Sequence, residues 1–231
     1  MSHILTRNDF IDDARKIGCS IAAIRAVAEV ESAGVGFDSK GQPKTLFEGH
    51  LFYRYTKGKF AATHPSLCYK TWTKVHYGKT RALEWARLQQ ALTLDRKAAL
   101  LSTSWGTFQI LGSNFAKCGY TDVETFVGDM FTDANTHLSM FTEFVLDSRL
   151  DDELRDLRFA DFARIYNGPA YKSNAYDTKM LTAYKKYQKE EDSLAAVPQE
   201  STAEDIFWQP LEEPQPGSFA ELSSGEVDII V

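Results

Sequence analysis

The 231 residues are 43% hydrophobic and 25% charged, enough apolar material for one well-buried domain with a segment to spare. No run of 18 apolar residues occurs, and the opening MSHILTRNDF lacks the apolar stretch of a secretory signal; this argues against a membrane-spanning helix and for a chain made in the cytoplasm and carried out, if at all, by other proteins. The net charge of −6 divides unevenly. Residues 190–231 hold 11 acidic residues and no Lys or Arg, leaving 21 acidic against 26 basic residues in 1–189, so a body at +5 suits an anionic polymer, nucleic acid or bacterial wall, and an acidic tail opposes that attraction.

In chain order, Asn8 is placed to cap a helix running through Lys16 and stopped by Gly18, and Ser20 to cap the next, which ends near Gly34. Gly34, Gly36 and DSKGQP break the helical period, and KTLFEGHLFYRYT follows as a small hairpin or irregular segment. Residues 80–101 return to helical spacing. TSWGTFQILGSNFAKCG, framed by a Ser/Thr start and a Gly stop, reads as a nearly all-apolar helix in the core. Thr121 with Glu124 has capping-box spacing, and amphipathic helices are expected at about 132–149, 159–166 and 174–189. From Glu190 onward the Glu-, Ser- and Pro-rich sequence, with DIFW and VDIIV as isolated apolar islands, has the composition of a disordered tail. Cys19, Cys68 and Cys118 lack CxxC or Cys/His spacing and read as core hydrophobes. His3, His50, His64, His76 and His137 lack paired spacing, so no metal or other cofactor is expected.

Within the second helix, Ile21, Ile24, Val27 and Ala28 form a buried stripe, and its continuation lands on Glu31. A carboxyl group there either swings into solvent at the helix end or stays desolvated. In the second case its neutral form is favoured, its pKa rises, and it becomes a proton donor at neutral pH.

Three motifs bear on that choice: ESAG (Glu31–Gly34), SWGTFQI (Ser104–Ile110) and IYNGPAY (Ile165–Tyr171). In this order they resemble the signatures of goose-type lysozymes and lytic transglycosylases. With the longer LFEGHLFYR and LDRKAALLSTSWGTFQILGSNFAKCGY blocks, the chain resembles the N-acetylmuramidase domain of phage endolysins over roughly residues 8–188. The resemblance implies a mainly α, lysozyme-like domain over 1–189, followed by the acidic tail of 190–231. It makes Glu31 the general acid, walled from water by Trp105, Phe108 and Ile110. Gly106, Phe108 and Gln109 would line the sugar cleft, Gly106 letting a ring approach the backbone, and Tyr166 and Asn167 would form the opposite wall, with Tyr166 bonding Glu31. His50 is a further substrate contact. Glu48, flanked by Leu46, Phe47, Leu51 and Phe52, and Asp38 are the candidates for a second carboxylate, and Thr45 for orienting a water.

The implied activity is cleavage of the β-1,4 bond between N-acetylmuramic acid and N-acetylglucosamine by a monomeric endolysin. Its partner is peptidoglycan rather than nucleic acid or a membrane interior, and it acts on the wall after release by other proteins. A lytic transglycosylase forming 1,6-anhydro ends, a secreted antibacterial effector with an immunity or inhibitor protein, and a non-catalytic wall-binding protein are the alternatives.

Overall fold

The computed structural model describes residues 4–32 and 36–196. Its elements run α1 (Asp9–Ile17), α2 (Ile21–Ser32), β1 (Thr45–Phe47), α3 (Gly49–Tyr55), α4 (Arg81–Leu94), α5 (Arg96–Leu101), β2 (Thr103–Trp105), β3 (Ile110–Leu111), α6 (Val123–Asp129), α7 (Ala134–Asp147), α8 (Asp151–Arg155), α9 (Phe159–Tyr166) and α10 (Tyr176–Ala195), with 3-10 turns at Gly112–Cys118 and Pro169–Asn174. The fold is mainly helical, with one small antiparallel sheet in the order β1-β2-β3.

The first two helices start and stop where their end signals stand. Gly18 adopts φ 77° and donates its N–H to the carbonyls of Ala14 and Arg15, a left-handed stop that glycine takes without strain. Ser20 Oγ accepts the Ala23 N–H at 3.1 Å. Asn8 contributes no side-chain cap; instead Asp9 reaches back to the N–H and hydroxyl of Thr6. Along α2, Ala22, Ala23, Ile24, Ala26 and Val27 are fully buried. The alanines among them leave little bulk on the helix, and α10 packs along it.

The segment expected as one buried helix around residue 108 is a tight hairpin followed by a 3-10 turn. Two residues, Gly106 (φ 71°) and Gln109 (φ 51°), are left-handed, and an α-helix holds neither. Apolar periodicity carries no record of that backbone sign. Thr103 and Trp105 suit a strand and pair with Phe47 and Thr45 of β1, while Trp105 also pairs with Ile110. Other boundaries move for local reasons. The helix expected over 80–101 is interrupted at Asp95, which caps α5 by accepting the Ala98 N–H. Asp122, not Thr121, caps α6.

The boundary expected at residue 190 also moves, because α10 continues through Ala195. Glu190 and Glu191 are part of the helical body. Arg25 of α2 donates to Glu190 at 2.9 Å and to Glu191 at 3.1 Å, and Arg7 donates to Glu191 at 2.5–3.0 Å. Composition counts these acids with the tail, whereas their partners lie about 165 and 184 residues away in sequence. The apolar islands DIFW and VDIIV lie outside the described residues.

Glu84 organises the centre of the chain. Only 4% exposed, it accepts the Phe47 N–H (3.0 Å) and Arg87 Nη1 (2.6 Å) on Oε1 and the Gly78 N–H (2.6 Å) on Oε2, tying α4 to β1 and to the preceding loop. An amide would turn an NH₂ toward one of these donors, so Glu84→Gln should lower stability by about 2–4 kcal/mol. Urea denaturation at pH 7 measures this, and a loss under about 0.5 kcal/mol would remove Glu84 from that structural role.

Candidate active site

Glu31 is the penultimate residue of α2, continuing the stripe of Ile24, Val27 and Ala28. Burial withdraws its carboxyl group from water and pushes its pKa up to about 7, while a hydrogen bond from Asn167 pulls partly the other way. Asn167, just past the end of α9, donates Nδ2–H to Glu31 Oε1 at 2.8 Å. Helix polarity adds to the burial, since a carboxylate in the last turn meets the negative end of the helix dipole. The desolvated alternative is therefore the one realised.

Tyr166 lies beside this pair, but its hydroxyl donates to the Phe108 carbonyl at 3.0 Å rather than to Glu31. Its ring stacks on Phe162 at 5.4 Å and meets Phe141 and Phe144 edge-on. Burial, then the charge of Glu31, hold the phenol well above its ordinary pKa, so it stays a donor. The contact expected with Glu31 is replaced by one that pins the 106–109 turn to α9, next to Asn167.

That turn explains the SWGTFQI motif differently from the expectation. At Gly106 a Cβ would lie 2.8 Å from Met130 Sδ and 2.9 Å from His137 Cε1, so the room left by the missing side chain is taken by the protein behind it rather than by a sugar ring. Phe108 is 2% exposed and stacks on Phe141 at 4.4 Å, so its side chain belongs to the core, not to a cleft. Gln109 donates Nε2–H to the carbonyls of Gly106 (2.9 Å) and Lys44 (3.2 Å), and the Gly106 N–H also reaches Lys44 O at 2.8 Å. Gly106 and Gln109 thus build the turn and stitch it to the start of β1.

Sequence reasoning missed His137, a lone histidine in an apolar helix with no spacing signal. It is buried in α7. Nδ1 accepts the Thr107 N–H at 3.1 Å and Nε2 faces Met130 O at 2.8 Å, which fixes the neutral Nε2–H tautomer. Phe37 stacks on the ring at 4.7 Å with 7° between planes. His137 therefore joins the loop that follows α2 to the turn that carries Phe108.

The other carboxylates lie elsewhere. Asp38 Oδ1 accepts the backbone N–H groups of Lys40 (2.8 Å) and Gln42 (2.9 Å), closing the loop bridged by Phe37 and Pro43. Glu48 precedes α3 and accepts the Tyr77 hydroxyl at 2.6 Å. His50 Nδ1 lies 3.3 Å from the same oxygen without hydrogen-bond geometry. Thr45 opens β1, and its buried hydroxyl oxygen has no protein partner. Glu31, Asn167 and Tyr166 are thus brought together, and Glu48 and His50 form a second group just after β1. Among the described residues, no group of three His, Cys, Asp or Glu side chains could hold a metal ion, and no helix is long and apolar enough to cross a membrane.

A helical body with a small sheet and a desolvated glutamic acid at the end of a buried helix define a lysozyme-like protein. Residues 20–188 match the muramidase family, described as N-acetylmuramidase, and the chain belongs to that family of peptidoglycan-cleaving enzymes. Among solved structures it is similar to the crystal structure of the Burkholderia AP3 phage endolysin, with 38% identity and a TM-score of 0.76 over 82% of this chain and 72% of that one. Comparison with curated proteins gives no match.

The raised pKa has a stability consequence with a definite sign. A carboxyl at about 7 when folded and near 4.3 when unfolded binds more protons in the folded state between those values, so stability falls as pH rises through that window and stays low above it. The full penalty is about 4 kcal/mol. Glu31→Gln should therefore raise the thermal midpoint at pH 8 and leave it nearly unchanged at pH 4, as read by calorimetry at both pH values. Equal midpoint changes at the two would contradict the burial account.

Proposed function

We propose that this chain hydrolyses the β-1,4 bond between N-acetylmuramic acid and N-acetylglucosamine, with Glu31 as the general acid, and serves as a phage endolysin in host lysis. The observation that carries the reading is a carboxyl group pushed up to about 7 by burial and held by one amide donor. At neutral pH a large share of Glu31 is protonated. It gives this proton to the glycosidic oxygen as the C1–O bond breaks and positive charge develops on the sugar. The Asn167 N–H favours the carboxylate that remains, an interaction that strengthens as the proton leaves and so acts more on the transition state than on the ground state. Tyr166 serves as a positioning residue, holding the 106–109 turn against α9. The similarity to a phage endolysin supports the lysis role.

Glu48 is proposed as the second carboxylate ahead of Asp38, because Asp38 closes its own loop through two backbone donors whereas Glu48 accepts a single tyrosine hydroxyl on one oxygen. Turnover of peptidoglycan should fall about a thousandfold or more in Glu31→Gln. In the native chain it should decline on the alkaline side with a midpoint near 7, and Asn167→Ala should move that limb to higher pH, because the lost hydrogen bond favoured the charged form. Reducing-end products by mass spectrometry accord with hydrolysis, whereas 1,6-anhydro ends would replace it with the transglycosylase reaction. For the second carboxylate, Glu48→Gln should reduce kcat substantially and Asp38→Asn much less. The reverse order, with both variants folded, would exchange the two assignments.

A further inference from the structure

The basic charge of the body is concentrated in one stretch. Residues 49–83 contain seven Lys or Arg and no Asp or Glu. The carboxylates that bracket it, Glu48 and Glu84, are both engaged with protein donors: Glu48 accepts the Tyr77 hydroxyl, and Glu84 accepts the N–H groups of Gly78 and Phe47 together with Arg87. They pin the loop before α4 at two successive residues, and little room is left there, since a Cβ on Gly78 would lie 2.5 Å from Glu84 N. Lys70, Lys74 and Lys79 stay exposed on that loop.

Trp72 stands among these lysines with 55% of its surface exposed. The loop that carries it is nonetheless pinned. The indole lies beside the Tyr77 hydroxyl, which donates to Glu48 Oε2 at 2.6 Å. A loop fixed through a tyrosine to a partly buried carboxylate is pre-organised, because its ordering cost is met in the free protein rather than on binding. Lys74 Nζ lies 5.8 Å from the ring centroid, which sets a cation beside the aromatic face.

We infer that the loop carrying Trp72, Lys70, Lys74 and Lys79 is a binding surface for the glycan strand of peptidoglycan, with an amino-sugar ring stacking on Trp72 and peptide carboxylates of the wall meeting the lysines. This rests on the peptidoglycan-cleaving reading but concerns grip on the polymer, separate from the acid at Glu31. The C–H face of a pyranose packs on an indole as other apolar faces do. The flanking cations add an attraction that weakens with salt.

The test uses the full chain carrying Glu31→Gln, so that the polymer survives, and purified peptidoglycan sacculi. Trp72→Ala should weaken sacculus binding about tenfold, the scale of a lost aromatic anchor, with an unchanged thermal midpoint. Tyr77→Phe, which keeps both rings but releases the loop from Glu48, should weaken it in the same direction. The neutral β-1,4 N-acetylglucosamine tetramer should shift the Trp72 indole NMR signal, separating stacking from charge. In the active chain, Trp72→Ala should raise KM more than it lowers kcat. Sacculus binding within twofold of the parent for Trp72→Ala, no indole shift with the tetramer, or equal affinity for duplex DNA would each overturn the proposal. Wall cleavage by the native chain with Trp72→Ala indistinguishable sinks only this surface. Trp72-dependent sacculus binding by a native chain that cleaves nothing sinks only the proposed activity.

Discussion

Everything proposed for this protein depends on keeping one carboxyl group out of water. Glu31 stands in the last turn of α2, where a side chain can turn to solvent, so its burial depends on the elements packed around the helix end. Here the stripe of Ile24, Val27 and Ala28 is enclosed by neighbouring elements up to the final residues, and α9 brings Asn167 to 2.8 Å of the carboxyl oxygen. Burial alone would favour the neutral form so strongly that the carboxylate left after proton transfer would have no support. The single amide donor tempers this and leaves the pKa at about 7.

Holding α2 in place therefore matters more than its own helical propensity. On one side α10 grips it through charges. Arg25 bonds Glu190 and Glu191, its guanidinium lies 3.9 Å from the centre of the Tyr187 ring, and Glu29 accepts from Lys186 and Tyr187. Beside the Asn167–Glu31 pair the 106–109 turn is fixed from three directions, by Tyr166 at Phe108 O, by His137 at Thr107 and by Lys44 O at Gly106 and Gln109. Partly buried pairs such as Arg25–Glu191 contribute geometry at least as much as energy, since their attraction must offset the cost of desolvating both partners.

Local chemistry made the first part of this legible. The Gly18 stop, the Ser20 cap and the placement of Glu31 on an apolar stripe follow from spacing and end signals, and the described helices bear them out. The TSWGTFQIL segment was misread because an apolar run does not record backbone handedness: two left-handed residues within four positions make a turn from what scans as a helix. Long-range partnerships were equally hidden. Nothing near His137 or Glu84 announces that one fixes a turn 30 residues away and the other a strand 37 residues away. Tyr166 lies in the expected neighbourhood but bonds a different acceptor, since successive residues at a helix end point about 100° apart and Asn167, just past α9, is the one that faces Glu31.

The claim on which the rest stands is the protonation state of Glu31, and it can be observed without substrate. Carbon-13 labelling of glutamate side chains, with the Glu31 carboxyl assigned by comparison with Glu31→Gln, gives its titration directly by NMR. The account predicts a midpoint near pH 7 for this one carboxyl. A midpoint near the ordinary 4.3 of an exposed glutamate would mean that water reaches the group, and the assignment of Glu31 as a proton donor at neutral pH would be wrong.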